Sequence, residues 1–490
     1  MLFNSALYGA FLLGTFTVFW LLRARRLARA LFLVVASYSF YFYGTWDAAT
    51  EEHVPFGPLG WSVLCLGVIF VGSTLDYWIG HALARTESPR RRKALLLVSI
   101  TYYLGVLAIF KYCNFAVDSV RSLLVALGVC PEAVRTFHLG VVLPFGISFF
   151  TFETMSYTID VYRRQIEPAR RYLDYLLFVA FFPHLVAGPI VRPRQMLPQL
   201  AATPSVDSDT QARGLWLIAT GLCKKIAIGD TLSVNIVGRA FGNPERFSSV
   251  ELVVAIYAYA IQIYCDFSGY TDVAIGSALL FGYRLPENFN APYLARNLQE
   301  FWHRWHISLS SWLRDYLYVP LGGSRKGPLR TYVNLMITML LGGLWHGASW
   351  NFVIWGGLHG AGLAVTRMWQ RARPSGQENA LARVLTTFLT IQFVCLAWVF
   401  FRAPSFAHAT LMLGRIARAT TGIANVSPRV ALVLAAGMLL HGAPIGWSDR
   451  LRERFVRTPA IAQGVLLAIA AYALHLAAGA KAEPFVYGQF

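Results

Sequence analysis

The stretch "GGLWHGASWNFVIWGGLHG", residues 342–360, is apolar and rich in glycine and tryptophan, and only its two histidines can carry a charge. Apolar runs near the length of about 20 residues that crosses a bilayer recur along the whole chain. Because only helices and closed barrels satisfy their backbone hydrogen bonds in lipid, these runs predict an all-α polytopic membrane protein with about 11–13 transmembrane or re-entrant helices. The runs span residues 4–22, 30–45, 59–80, 94–110, 139–159, 172–190, 213–228, 249–265, 331–341, 351–366, 384–401, 429–446 and 459–479.

The composition excludes an ordinary soluble protein. Of the 490 residues, 56% are hydrophobic and 14% are charged, whereas a soluble chain carries about 25% charged residues. The net charge of +18 comes from short basic clusters between the apolar runs, such as "RARRLAR" at 23–29 and "SRKGPLR" at 324–330. This positive-inside pattern predicts the lipid of a bacterial inner (cytoplasmic) membrane as a partner, and no nucleic acid. The alanine- and arginine-rich composition favours a Gram-negative source.

The cysteine and histidine spacing predicts neither a disulfide framework nor a metal site. The six cysteines are scattered and form no CxxC pair. His303 and His306 are three residues apart, but no thiolate or carboxylate ligand stands at a matching spacing. The chain has no repeat of fixed period and no low-complexity linker. A single membrane domain over residues 1–490, with no bound cofactor, is therefore expected.

The central part of the chain, residues 140–360, differs from its flanks in the composition of its apolar runs. Polar residues, glycine and proline interrupt the apolar runs there. Membrane proteins tolerate irregular backbone only where it is buried in protein or lines a cavity. The catalytic or binding core is therefore expected within residues 140–360.

The segment "ENFNAPYLARNLQEFWHRWHISLSSWLRDYLYVPLGG", residues 287–323, combines an apolar stripe with a polar side. It predicts one amphipathic helix that lies at an interface or lines a polar cavity. His306 lies at the margin of the stripe, and spacing alone favours a histidine that hydrogen-bonds a carbonyl over a functional one. The stripe consists of Leu298, Phe301, Trp302, Trp305, Leu309, Trp312 and Tyr316.

Two aspartates interrupt the apolar run "QIYCDFSGYTDVAIG", residues 262–276. A carboxylate in hydrocarbon costs several kcal/mol, so Asp266 and Asp272 are expected to face a protein interior or a watery funnel. The favoured interpretation is a structural cluster in which an arginine such as Arg304 or Arg314 pairs with them. Direct catalysis by an aspartate is the alternative.

A second interrupted run, "FFPHLVAGPIVRPRQMLPQL" at 181–200, places Arg192 and Arg194 directly after a Gly-Pro break. Arginine is well suited to phosphate oxygens. Two ligands fit this position at the cytosolic mouth, a phosphate-bearing donor and the headgroups of lipids. The lipid headgroups are the favoured of the two.

His346 is the unusual residue of the opening stretch. Gly343 and Gly347 flank it at a spacing that allows close helix approach. If the segment is helical, His346 lies about 24 Å from Arg330, deep in the membrane, and an ionisable residue at that depth indicates a functional site by default. A core histidine bonded to a carbonyl is the alternative. For His359 that structural interpretation is favoured.

Six stretches resemble, in the same order, the motifs of the membrane-bound O-acyltransferase (MBOAT) family, and in particular its branch that acylates bacterial polysaccharides. The resemblance implies a ring of outer helices around a thinned centre, where a cytosolic funnel meets an extracytoplasmic one. The chain departs from the family pattern at His303, where arginine is common, and at Cys265, where phenylalanine is frequent. The six stretches are "LPFGISFFTFETMSYTIDVYRR" (143–164), "FVAFFPHLVAGPIVRPR" (178–194), "GLCKKIAIGD" (221–230), "YCDFSGYTDVAIG" (264–276), "PENFNAPYLARNLQEFWHRWHISLSSWLRDYLYVPLGG" (286–323) and "LGGLWHGASWNFVIWGGLHG" (341–360).

The resemblance implies that His346, in "LWHGASW", is the catalytic histidine and that His306, in "RWHISLS", is its partner. His346 would be the general base or assist acyl transfer directly, and His306 would orient or polarise the donor carbonyl. The candidates for the funnel wall or donor binding are Trp345, Trp305, Arg304, Asp266, Arg192 and Arg194.

The C-terminal segment 480–490 carries a further similarity. Phe485, Tyr487 and Phe490 match the F-x-Y-x-x-F ending of this acyl-transfer group. The resemblance implies that Tyr487 accepts the acyl group as a relay. An aromatic anchor at the membrane interface is the alternative.

The activity that the resemblance implies is O-acyl transfer. An acyl group, with acetyl favoured, would pass from cytosolic acetyl-CoA across the membrane for O-acetylation of an extracytoplasmic polysaccharide. Because no large soluble domain is present to hold a glycan, an extracytoplasmic partner protein is expected to complete the transfer. Two alternatives stay open: D-alanyl transfer from a carrier protein to teichoic acid, and a non-catalytic flippase or scaffold of a polysaccharide-modification complex.

Overall fold

The computed structural model describes residues 3–50, 54–129, 138–140, 142–186, 188–372, 379–444, 446–478 and 485. Within these residues every regular element is a helix, which confirms the all-α prediction. The chain divides into two compact units, residues 1–206 with 278–285 and residues 207–277 with 286–490.

The first unit consists of nine α-helices within its described residues, and a short π-helical segment, Ala108–Tyr112, joins the fourth to the fifth. The helices are α1 (Ala6–Leu21), α2 (Arg26–Thr50), α3 (Gly57–Arg85), α4 (Pro89–Leu107), α5 (Cys113–Ala126), α6 (Ile147–Tyr162), α7 (Tyr172–Ala180), α8 (Phe182–Leu185) and α9 (Pro193–Ala201).

The second unit holds the remaining helices and three π-helical segments, Cys223–Asp230, Ser233–Val237 and Arg314–Tyr318. The helices are α10 (Ser208–Leu222), α11 (Gly238–Gly242), α12 (Ser249–Leu280, whose last turn belongs to the first unit), α13 (Leu298–Arg304), α14 (Ile307–Leu313), α15 (Gly327–His346), α16 (Trp350–Ala372), α17 (Ala380–Arg402), α18 (Phe406–Ala417), α19 (Pro428–His441), α20 (Trp447–Arg457) and α21 (Ala460–Ala477).

Several helices have the length and composition of membrane spans. In the described residues, six are long and apolar enough to cross a bilayer: α2, α3, the continuous α4–α5 segment, α12, α17 and α21. Three shorter apolar stretches accompany them, namely α1, residues 172–185 and α19. They coincide with apolar runs of the sequence, so the prediction of a polytopic membrane protein is confirmed. The ring of helices, the funnel and the number of 11–13 helices remain predictions.

Glycines set the distance between α15 and α16 in the second unit. A Cβ atom at Gly343 would overlap the backbone oxygen of Phe352, and one at Gly356 would overlap the backbone oxygen of Met339. The two helices can therefore approach through bare backbone, as the glycine spacing predicts. Because α15 is unbroken from Gly327 to His346, it places His346 at the very end of the helix.

Candidate active site

His306 lies at a break between two short helices, and the prediction of one continuous amphipathic helix over 287–323 is wrong. Helix α13 ends at Arg304, and α14 begins at Ile307. Between them His306 takes a left-handed backbone conformation, with φ 43° and ψ 56°. The apolar stripe misled the prediction because its residues from Leu298 to Trp312 are buried on both sides of the break, and only Tyr316 is partly exposed.

Asn288 holds this break from a distant part of the chain. Its backbone oxygen accepts the N–H of Ile307 at 2.9 Å, and its side-chain Oδ1 accepts the N–H of Ser308 at 3.1 Å. These are the first N–H groups of α14, which have no partner inside their own helix. Asn288 therefore caps α14 and stabilises the left-handed turn at His306.

The same oxygen sets the tautomer of His306. The Oδ1 atom of Asn288 also accepts the Ser308 hydroxyl at 2.9 Å and lies 3.1 Å from Nδ1 of His306. The backbone N–H of Ser308 needs an acceptor, so the Asn288 side-chain atom that faces it is the amide oxygen and not the amide nitrogen. Nδ1 of His306 therefore has to donate to that oxygen. Nε2 of a neutral His306 is then a hydrogen-bond acceptor.

Burial keeps His306 neutral. Its side chain is fully buried, and burial lowers the pKa of His306 to about 3 because an imidazolium would lose its hydration. His306 lies outside the candidate membrane spans. At neutral pH, Nε2 of His306 therefore carries no proton and cannot donate a hydrogen bond to the substrate carbonyl.

The amide nitrogen of Asn288 is a buried donor beside His306. Asn288 is 1% exposed, and its Nδ2 atom has no hydrogen-bond partner among the described residues. A buried, unpaired amide donor costs about 1–3 kcal/mol. Sequence reasoning did not single out Asn288, although it lies inside the quoted motif "PENFN".

His346 lies among aromatic rings at the end of α15 and is 4% exposed. Its ring centroid is 4.9 Å from that of Trp355 and 5.3 Å from that of Phe401. The Trp345 ring is 5.0 Å from His346 and 6.2 Å from His306. One indole therefore contacts both histidines that the sequence singles out.

His359 occupies a different environment. It is completely buried, and its Nδ1 accepts a hydrogen bond from the indole N–H of Trp302 at 3.3 Å. The Phe301 ring stacks on it at 6.1 Å between centroids. These contacts agree with the structural interpretation of His359, which packs between α16 and α13.

The intramembrane aspartates pair with lysines, and the expected arginine partners are wrong. Asp266 lies 2.5 Å from Nζ of Lys225, and Asp272 lies 2.6 Å from Nζ of Lys224. Both lysines belong to the π-helical segment that follows α10. In the sequence, the pair "KK" at 224–225 resembles the short basic clusters between apolar runs. In the structure, however, Lys225 is 2% exposed and faces protein instead of lipid.

The arginines expected near the aspartates have nearer partners. Arg304 forms an ion pair with Glu300 at 2.8 Å, one turn earlier, and Arg314 pairs with Asp315 at 2.7 Å. Trp305, another candidate for the funnel wall, is 1% exposed and stacks on Phe301 at 5.7 Å between ring centroids.

Arg192 and Arg194 lie in the first unit. Arg192 is 5% exposed, whereas Arg194 lines a cavity of about 580 Å³ together with Arg26, Arg170 and Arg171. Two carboxylates also line this cavity, and one of them pairs with Arg26 at 2.9 Å. The four guanidinium groups outnumber the carboxylates, which favours an anionic ligand.

A buried pair in the first unit was missed. Nδ1 of His184 lies 3.1 Å from Oε1 of Glu153, and the same carboxylate oxygen accepts the N–H of Val191 at 2.9 Å. Both side chains are fully buried. The sequence offered one indication of this pair, because Glu153 and His184 each interrupt an apolar run, at 143–164 and 181–200.

A second cavity, of about 640 Å³, lies in the second unit. Its wall combines apolar side chains such as Trp302 and Met339 with His303, Arg314 and Arg367. Trp302 also contacts His359, so the cavity borders the aromatic cluster around the histidines. No group of three or more potential metal-ligating residues occurs in the described part of the chain.

Phe485 is the described residue of the C-terminal segment. It is 2% exposed, and its ring lies 4.7 Å from that of Tyr270 and 5.4 Å from that of Phe267, between centroids. Phe267 in turn meets His306 edge-on at 4.7 Å. Tyr487, the relay candidate, and Phe490 lie outside the described residues.

Comparison with known proteins establishes the family of the chain. The model of the membrane-bound O-acyltransferase family matches residues 97–403, which include both His306 and His346. The chain belongs to the membrane-bound O-acyltransferase family. It is therefore an O-acyltransferase, and the MBOAT resemblance seen in its motifs is confirmed.

Curated relatives of this O-acyltransferase extend the similarity beyond the family model. The probable alginate O-acetylase of Azotobacter vinelandii is 40% identical over 83% of this chain and 76% of its own length. The peptidoglycan O-acetyltransferase of Helicobacter pylori is 34% identical over 84% and 79%. The teichoic acid D-alanyltransferase of Bacillus subtilis is 26% identical over 54% and 69%. The similarity is thus broader and stronger to the O-acetyl-transferring relatives.

In this O-acyltransferase the described site combines three features. Two histidines contact one tryptophan ring, the tautomer of His306 is set by Asn288, and aromatic side chains surround His346. A neutral imidazole in such a dry environment can take a proton from a hydroxyl without competition from water.

Proposed function

We propose that this O-acyltransferase takes an acetyl group from cytosolic acetyl-CoA and passes it across the membrane for O-acetylation of an extracytoplasmic polysaccharide. The names of its relatives support acetyl transfer, since 40% identity extends over most of a probable alginate O-acetylase. The D-alanyl-transferring relative matches only 54% of this chain. The observation that carries the proposal is that His306 and His346 contact the same ring, that of Trp345, at 6.2 and 5.0 Å between centroids.

The chemistry follows from these groups. A hydroxyl attacks the thioester carbonyl, His346 takes the hydroxyl proton, and a C–O bond forms. The C–S bond then breaks, and the proton passes from His346 to the departing sulfur. Each histidine thereby returns to its starting state, and no cofactor is required.

Asn288 supplies the polarising group in this scheme. Its buried Nδ2 donates to the carbonyl oxygen as negative charge develops there. Nδ1 of His306 holds the amide in the required orientation through Oδ1. His306 therefore orients the donor through Asn288, and its Nε2 accepts a hydrogen bond from an N–H or O–H of the substrate.

The cavity of the second unit suits the donor. Its volume of about 640 Å³ lies in the range of about 300–1,000 Å³ typical of small-molecule sites. Its apolar wall fits the thioester arm, and Arg314 and Arg367 fit phosphate groups. Arg367 begins the basic stretch "RMWQRAR" at 367–373, and the positive-inside rule assigns such a stretch to the cytosolic side, which supports access from the cytosol.

Tyr487 is proposed as the relay. An extended chain advances about 3.3–3.6 Å per residue, so a residue two positions after Phe485 is tethered within about 7 Å of it. Phe485 packs on Phe267, which contacts His306. An extracytoplasmic partner protein would take the acetyl group from Tyr487 and transfer it to the polysaccharide. The expected location is the inner membrane of a Gram-negative bacterium.

Radiolabelled acetyl-CoA tests this function with the purified full-length protein. Label is expected to appear on the chain, to be absent from Tyr487→Phe, and to fall at least 100-fold in rate in His346→Gln. The matched control is His359→Gln, which changes another buried histidine of the same helix pair and keeps acetyl transfer per folded molecule.

The result that would overturn the proposal is His346→Gln acetylating at the rate of the parent protein. Label transfer only from an acyl-carrier protein would instead establish the D-alanyl type of donor. Acetylation that survives the replacement of both His306 and His346 would establish a flippase or scaffold.

A further inference from the structure

A basic cavity of the first unit has no role in the chemistry above. It measures about 580 Å³, and its charged lining carries a formal net charge of +2. A ligand with negative charge complements such a lining. The charged side chains are those of Arg26, Arg170, Arg171, Arg194, Glu167 and Asp174.

The basic cavity lies where two apolar helices begin. Arg26 is the first residue of α2, which is long and apolar enough to span a bilayer. Arg171 directly precedes α7, which opens the apolar stretch 172–185. Arginines at the ends of such helices lie at the level of the lipid headgroups. The positive-inside rule assigns the basic stretch 23–29 to the cytosolic side, so the cavity is expected to open at the cytosolic leaflet.

Hydrogen-bond donors for a phosphate group are already in place around the basic cavity. Nε of Arg26 is buried and has no hydrogen-bond partner among the described residues, although Nη2 of the same side chain binds Asp174 at 2.9 Å. Helix α9 begins at Pro193, which also lines the cavity, and a helix N-terminus attracts anions. The N–H of Ala169 donates to the hydroxyl of Tyr157 at 3.1 Å. These contacts hold the lining in place without a ligand.

The remainder of the wall is apolar and favours a lipid over a small ion. Ile166, Leu197 and Pro198 line the cavity beside the charged groups. Inorganic phosphate has no apolar surface to bury there, whereas the glycerol backbone and the first methylene groups of a phospholipid do. The combination of guanidinium groups and apolar side chains therefore fits a phosphate group that is attached to lipid.

We propose that the basic cavity binds the phosphodiester headgroup of an anionic phospholipid from the cytosolic leaflet, with Arg170, Arg171 and Arg194 as the phosphate contacts. Arginine presents a planar set of donors to phosphate oxygens, and these three side chains are exposed, so a ligand can reach them. Arg192, the other arginine of the Gly-Pro break, is 5% exposed and does not line the cavity. The binding is independent of the proposed acetyl transfer.

Native mass spectrometry of the purified full-length protein in a neutral detergent tests the site. The negative surface potential of a bilayer is absent there, so the affinity reports the protein's own site. Dioleoylphosphatidylglycerol is expected to bind the parent protein at least about 10-fold more tightly than dioleoylphosphatidylcholine, whose choline group cancels the phosphate charge. Equal affinities of the two lipids would overturn the proposal.

Removing three charges from the cavity is expected to abolish this preference. The variant that combines Arg170→Gln, Arg171→Gln and Arg194→Gln should bind both lipids with the same affinity. The three side chains are exposed, so the fold is expected to tolerate the change. A preference that survives in this variant would contradict the assignment of the phosphate contacts.

The matched control removes three charges from another basic stretch of the same unit. It combines Arg90→Gln, Arg91→Gln and Lys93→Gln, which are also exposed and do not line the cavity. The preference for phosphatidylglycerol is expected to stay within twofold of the parent value. An equal loss in both triple variants would indicate diffuse attraction and overturn the site.

A variant of opposite effect keeps the test decisive if the triple variant does not fold. Glu167 is exposed and lines the cavity, and Glu167→Gln removes a negative charge while every arginine stays in place. Phosphatidylglycerol is expected to bind this variant at least about threefold more tightly. Unchanged or weaker binding would speak against the proposal.

Soluble phosphates distinguish the two sources of the phosphate group. Inorganic phosphate and CoA, each at millimolar concentration, are expected to leave the lipid bound, because neither carries acyl chains. Displacement of phosphatidylglycerol by either compound would assign the cavity to a soluble phosphate and overturn the lipid as its ligand.

Discussion

Replacing Asn288 with alanine is the sharpest perturbation of the site. The change removes the one oxygen that accepts the Ser308 N–H at 3.1 Å, the Ser308 hydroxyl at 2.9 Å and Nδ1–H of His306 at 3.1 Å. The hydroxyl can rotate toward another acceptor, but the two N–H groups are fixed. Each buried donor left unpaired costs about 1–3 kcal/mol, so the loss of two partners is expected to lower the free energy of unfolding by about 2–6 kcal/mol.

The effect on catalysis is separable from the effect on stability. Asn288→Ala removes both the orientation of His306 and the Nδ2 donor, and the loss of one such donor costs about 10²–10³ in kcat. Asn288→Asp keeps an oxygen for the same three donors but has no N–H. It is therefore expected to melt closer to the parent protein than Asn288→Ala does and still to lose about 100-fold in kcat.

Thermal unfolding in nanodiscs and single-turnover acetyl transfer measure these two quantities. The control is Asn290→Ala, the same chemical change two residues away on an exposed side chain, which should alter the free energy of unfolding by about 0.5 kcal/mol or less. If Asn288→Ala matched Asn290→Ala in both measurements, the capping of α14 and the assignment of the His306 tautomer would be refuted.

Two further predictions concern the helix contact and pH. Gly343→Ala is expected to destabilise the protein by about 1–3 kcal/mol, because its Cβ would overlap the backbone of α16; Gly357→Ala, whose Cβ has an ordinary 3.7 Å neighbour, should be neutral or stabilising in the same melt. For His306, burial lowers the folded-state pKa to about 3, whereas the unfolded chain takes up this proton near pH 6.5. The free energy of unfolding is therefore unaffected by this group above about pH 6.5 and falls as the pH drops from 6.5 toward 3. Melting temperatures at pH 7 and pH 5 should thus differ more for the parent protein than for His306→Asn, which tolerates the left-handed backbone; an equal difference would contradict the assignment.

Much of the architecture could be predicted from short-range patterns. Apolar runs of span length marked the helices because burial in lipid depends on local hydrophobicity and on local backbone hydrogen bonds. The same locality explains why a helical segment could be predicted to carry His346, whereas the end of α15 at His346 is known only from the structure. The helix α15 needs no distant partner to form its hydrogen bonds.

The partners of charged residues were not predictable in the same way. Arg304 and Arg314 satisfy their charges within one turn, at Glu300 and Asp315. Asp266 pairs with Lys225, which lies on a different helix. Sequence spacing shows that a buried carboxylate needs a cation, but which cation reaches it depends on how two helices pack.

The sequence by itself determined a helical membrane protein of the O-acyltransferase family and named the two histidines of its motifs. Only the tertiary structure decided that a helix breaks at His306, that Asn288 caps the break, and that Trp345 contacts both His306 and His346. Helix formation is encoded by neighbours three and four residues apart. A cap supplied from 18–20 residues upstream, and a ring shared by two helix ends, leave no period in the sequence, because they exist only once separate segments have packed together.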